Sequence, residues 1–196
     1  MNLGITTSFI IGGLLLLAML QLNNSMLKNS AEITMDLNDQ SHIETIRKIV
    51  AHDFSRIGLG KNSKIKAFNP PHFINFSADV YDEGTAEVIW HFKENVQVKS
   101  TSNPSDRILQ RNGPIDTSGG SKPSRFQVVD FSITGYSDIQ GTTVTTDKNE
   151  IKSLRIKVIC ESPEPVSKNG GQTYYTKAAW EKLIVPNNLQ VENLNK

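Results

Sequence analysis

Cysteine is nearly absent: Cys160 stands alone, which excludes an internal disulfide framework and a cysteine-based zinc site. Its setting, LRIKVIC, reads as a strand, where a lone thiol serves as a small buried hydrophobe. Histidine is scarce too. His42, His52, His72 and His91 show no metal-ligand spacing, and the first two, ten residues apart on a helical stretch, face different ways. They are expected to be solvated or to face a partner. There is no G-x-S-x-G, no phosphate-cradling glycine loop and no Cys–His signature. Neither sign of charge dominates, and a net charge of +1 speaks against a dedicated nucleic-acid binder. Aromatic residues make up 7% of the chain, so any core is small. No cofactor, metal, catalytic residue or small-molecule substrate is expected. The carboxylates of DVYDEG (Asp79, Asp82, Glu83, before Gly84) only loosely match a calcium loop. Tyr81 occupies a ligand position and no Glu stands at the twelfth, so the segment reads as a hairpin turn.

A further absence is more informative. No charged side chain occurs before Lys28. Residues 3–22 form about 20 residues of apolar helix, roughly 30 Å at about 1.5 Å per residue, enough to cross a hydrocarbon core. A cleavable secretory signal has Lys or Arg ahead of its apolar run and a small-x-small site behind it. Here the flanks are MNLG and QLNNSML, so a retained anchor is expected. Lys28 is the only basic residue just past the span, and charge therefore assigns no orientation. Small residues at Gly12, Gly13 and Ala18 permit close helix–helix approach.

Beyond the span there is neither Pro nor Gly until Gly58. Ile43, Ile46, Val50, Phe54 and Ile57 make one helical stripe; Met35 extends it backward, and Asp39 and Asp53 interrupt it. The spacing predicts a single helix from about residue 3 to 57, stopped by Gly58 and Gly60, with the stripe packed on the chain's own sheet. Next come HFINFSADV and TAEVIWHF, a hairpin across YDEG with Trp90 and Phe92 on one face. GKNSKIK (Lys61, Lys64, Lys66) reads as a solvated basic loop, or else as a docking patch for an acidic partner. The polar stretch 100–125 has loop character, interrupted by a short strand RILQR. FQVVDFSITGY and IKSLRIKVIC are read as two further strands, and ESPEPVSKNGGQ as a loop. TYYTKAAWEKLIVP is a strand, or a short helix and a strand. The tail NNLQVENLNK reads as frayed. The chain thus divides into residues 1–27 in lipid, 28–60 as the amphipathic half of the same helix, and 61–196 as a β-rich domain.

This α+β layout, a long N-terminal helix against a small antiparallel sheet, resembles type IV pilin-like proteins. More closely, the chain resembles W-type minor pilins and J-type minor pseudopilins of type II secretion. HDFSRIGLG is similar to the family's helix end, INFSADVYDEGTAEVIWHF to its strand, acidic turn and strand, and DRILQRNG to its Leu-x-Arg strand. VVDFSITGY with IKSLRIKV resembles the paired late strands, and IVPNNL the C-terminal strand ending. The resemblance implies cleavage after Gly4, a methylated N-terminus at Ile5, and a leader that here is only MNLG, without Lys or Arg. Phe9 then stands at the fifth mature position, where such proteins usually carry Glu. It also implies a non-catalytic subunit of the bacterial inner membrane with a periplasmic domain. Such a subunit pairs with other pilin-like subunits through the N-terminal helix and helps initiate or cap a pilus or pseudopilus. The alternative is an uncut single-pass envelope protein whose β domain binds or scaffolds something outside any filament.

Overall fold

A computed structural model describes residues 3–60, 64–82, 84–115, 120–169, 172–186 and 189. Helix α1 runs unbroken over Leu3–Ser55, 53 residues. Its end is tied by Leu59 N–H donating to the Arg56 carbonyl at 2.9 Å, and Gly58 and Gly60 adopt φ values of 88° and 96°. At Gly60 a Cβ would also meet Thr85 Oγ1 at 2.6 Å, so the stop needs glycine for space as well as for conformation.

Strands β1 (Lys64–Asn69), β2 (Phe73–Ala78), β3 (Ala86–Gln97), β4 (Arg107–Pro114) and β5 (Ser121–Val128) form an antiparallel meander in chain order. A second sheet is built from β6 (Asp130–Tyr136), β7 (Val144–Thr145), β8 (Ser153–Glu161) and β11 (Lys177–Ile184), in the order β11-β8-β6-β7. Between its last two strands lies a small ribbon of β9 (Ser167–Asn169) and β10 (Gln172–Tyr174). One long helix on antiparallel sheets is the expected α+β class.

Several local expectations are corrected. Lys64 and Lys66 lie in β1, not in a loop; Lys61 is outside the described residues. The 100–125 stretch holds most of a hairpin, β4 with β5. It hid because β5 is an edge strand with both faces of its first residues largely exposed, so backbone pairing rather than apolar alternation defines it. FQVVDFSITGY is two strands: the chain changes sheets at Val129, whose N–H donates to the Ile159 carbonyl at 2.8 Å. The ESPEPVSKNGGQ loop carries the β9–β10 ribbon, and the AAWEKLI segment is strand throughout, with no helix. Apart from Leu189, the tail lies outside the described residues.

The core sits where α1 and the two sheets meet. Ile43, Ile46, Val50, Phe54 and Ile57 are all buried, as the stripe predicts. Each such side chain contributes about 1.5–3 kcal/mol on burial. The Trp90 ring is near-parallel to those of Phe126 and Phe131 at 6.0 and 6.1 Å, and Phe54 packs on Phe76 and Trp90. At Gly135 in β6 a Cβ would lie 3.0 Å from both the Phe68 ring of the first sheet and the Thr145 carbonyl of neighbouring β7.

Candidate functional site: the N-terminal helix and its seat

The helix has two environments. From Leu3 to Asn38 every residue is exposed except half-buried Met35, over roughly 50 Å of rod. From Asp39 onward one face is core. The most apolar window of the first part has a mean hydropathy of 2.2 and no burial, making α1 long and apolar enough to span a membrane. Apolar side chains continue past the span: Met26, Leu27, Ile33 and Leu37 are 60–64% exposed.

Gly4 and Ile5 lie in the first turn of α1, with Ile5 and Phe9 67% and 84% exposed. A Cβ added at Gly4, Gly12 or Gly13 meets nothing within 4 Å, so neighbouring side chains leave their surfaces open to another helix. At 100° per residue, Phe9, Gly12 and Gly13 share one face while Ala18 projects from the opposite side. These four positions are therefore not one contact surface. Gly12 and Gly13 alone form a close-approach notch, directly beneath Phe9.

The seat of the other half turns on two residues that look like flaws in the sequence. Asp53, fully buried, accepts hydrogen bonds from Arg111 Nε at 2.6 Å, from the second Arg111 guanidinium nitrogen at 2.9 Å, and from Trp90 Nε1 at 2.9 Å. The remaining guanidinium nitrogen of Arg111 donates to the Pro114 carbonyl at 2.9 Å. A bidentate Arg–carboxylate pair with further donors on both partners is the geometry a buried charge pair requires. It joins α1 to β3 and β4 at one point. Arg111 reaches it because Leu109, Arg111 and Gly113 alternate onto the buried face of β4. Asp39, also buried, accepts from the Thr176 hydroxyl just before β11. The expectations missed both acids and Arg111 as a set. The available signal was an acid on an apolar helical stripe together with an arginine in phase with a strand's core positions.

Of the four histidines, His91 is exposed and the others are half-buried. His42 Nε2–H donates to the Gln127 carbonyl at 2.8 Å, so it faces its own sheet rather than solvent or a partner. His52 packs on Tyr81, and His72 lies between Phe92 and Glu94. His91, against Phe73, has its pKa lowered by burial and by Lys93 and His72. Burial pushes the Cys160 thiol up to about 12, with Asp39 and Asp106 adding to the effect, so it stays protonated and inert. Asp82, at φ 62°, pairs with Arg56 at 3.1 Å in the β2–β3 turn; Glu83 is outside the described residues. Among the described residues no three His, Cys, Asp or Glu side chains are placed to hold a metal ion. Compared with known protein families, characterised proteins and solved structures, the chain matches none.

Proposed function

We propose that this protein is a non-catalytic, membrane-anchored subunit of the type IV pilin-like kind, a minor pilin or pseudopilin. It would help initiate or cap a type IV pilus or a type II secretion pseudopilus. One observation carries this reading: a single unbroken helix is bare and apolar over its first part and forms domain core over its second. A plain anchor needs only the lipid half. Here the lipid half is a rigid continuation of the element that organises the β domain, so helix packing in a bundle would set the position of the domain directly. The apolar side chains of Met26, Leu27, Ile33 and Leu37, beyond the roughly 20 residues a bilayer covers, suit neighbours of the same kind. In this reading the helix lies in the bacterial inner membrane, the β domain is periplasmic, and the partners are other pilin-like subunits.

N-terminal sequencing, intact mass and crosslinking test it. Extracted from native membranes, the chain should begin at methylated Ile5. A Leu16→Cys variant should crosslink to neighbouring pilin-like subunits; the buried Cys160 thiol will not interfere. A pool starting at Met1, with no helix-mediated crosslinks, would instead favour the single-pass envelope protein that never enters a filament. Phe9 at the fifth position is the feature favouring that second reading.

A further inference from the structure

Where α1 first meets the domain, it passes a polar collar unlike the rest of its seat. Asp39 on the helix is 5% exposed, and Asp106, just before β4, is 0% exposed. Asp39 is held by the Thr176 hydroxyl. Asp106 Oδ2 accepts from Thr101 Oγ1 and from Gln127 Nε2, both at 2.6 Å, while its Oδ1 is buried with no hydrogen-bond partner among the described residues. The Gln127 carbonyl takes the bond from His42, so helix, β5 and the loop before β4 form one connected set. Glu161, at the end of β8, stands near enough to both acids to oppose their ionisation, as does Asp36 for Asp39. His42 and Arg107 favour ionisation of Asp39 and Asp106 through their charge, but their hydrogen bonds go to backbone carbonyls rather than to the carboxyls. Lys177 pairs with Glu161 at 3.8 Å, and Arg107 donates to the carbonyls of Glu94, Pro104 and Asp106. Contrast Asp53, which meets Arg111 directly.

We propose that this collar is a proton-operated clasp on the membrane helix: protonated Asp39 and Asp106 hold the helix hard against the sheets, and their ionisation loosens it. Protonation removes buried charge that no cation meets directly, and with it the repulsion from Glu161, against the hydrogen bonds of Thr176, Thr101 and Gln127, which favour the ionised carboxylates. Burial raises both carboxyls above their ordinary value of 3.8. A raised folded-state pKa means that the stabilisation is fully present below 3.8 and is lost as pH rises through the folded value. The clasp is thus tight in acid and slack at neutral pH. It acts within one chain, whatever that chain assembles with.

Hydrogen exchange on the full chain in detergent micelles tests this, with rates corrected for the intrinsic effect of pH. Each pKa unit of elevation is about a tenfold change in protection. Between about pH 7.5 and about pH 4.5, protection of helix residues 39–46 should rise. Asp39→Asn with Asp106→Asn should show the high protection at both pH values. A flat or falling response in the natural chain overturns the clasp. So does a rise that survives in the double variant, which would place the sensor outside these two carboxyls. Should the double variant not fold, the response of the natural chain decides.

Discussion

At the residue scale the seat of the helix turns on the buried Asp53–Arg111 ion pair. Asp53 and Arg111 are both essentially unexposed, and each has its remaining bonding capacity met by Trp90 or by the Pro114 carbonyl. Such a pair adds little net stability over an apolar substitute, but half of one is costly. Arg111→Met strands a buried carboxylate and is expected to lose about 3–5 kcal/mol of unfolding free energy, read from denaturant midpoints. Adding Asp53→Leu should restore part of that loss. If the double variant proves no more stable than Arg111→Met alone, the pair is not coupled in the way its geometry indicates. The same residues bound what the sequence could disclose. Ile43 to Ile57 were legible because burial repeats with the helical period. Asp39 and Asp53 occupy that same face yet read as interruptions, since their partners Thr176 and Arg111 lie 137 and 58 positions away in the chain. Periodicity finds a face; it cannot find the partner across it.

At the scale of elements, legibility followed apolar patterning. The β2–β3 hairpin was plain because Val88, Trp90 and Phe92 alternate inward. β5 was not, because Ser121 to Arg125 carry no such alternation at a sheet edge. The change of sheet at Val129 was equally hidden, since Phe126, Val128, Phe131 and Ile133 face core on both sides of the break. The helix gives the clearest element-level prediction. Its buried positions begin at Asp39, so nothing in the β domain packs on the apolar rod before half-buried Met35. Removing residues 3–22 should therefore leave a folded domain, released from the membrane, with near-UV circular dichroism and thermal midpoint close to those of the full chain in detergent. Aggregation or loss of the tertiary signal would mean that the lipid half contributes to folding, contrary to its complete exposure.

For the whole molecule, the two ends of the second sheet are expected to respond to acid in opposite ways. The collar lies where β8 ends at Glu161 and β11 begins at Lys177; the β6–β7 turn lies at the other end, beside Ser153 and Ile184. In that turn the Asp138 carboxylate accepts from the backbone N–H groups of Thr142 and Thr143 and from the Thr142 hydroxyl. Those donors hold its pKa well below the ordinary 3.8. The signs are opposite. Asp138 contributes stability that is present above 3.8 and is lost as pH falls through its lowered value. Asp39 and Asp106 contribute stability gained as pH falls toward 3.8. The two windows adjoin without overlapping, so an acid titration should separate them. Exchange protection in residues 39–46 should climb first, between neutral pH and about 4, while residues 137–143 stay unchanged. Only below that should the turn lose protection, and Asp138→Asn should reproduce its loss at neutral pH without altering the helix. A simultaneous loss at both ends would show one global acid transition. In that case the helix and its seat would be governed by the summed charge of the domain rather than by the carboxyls at its two poles.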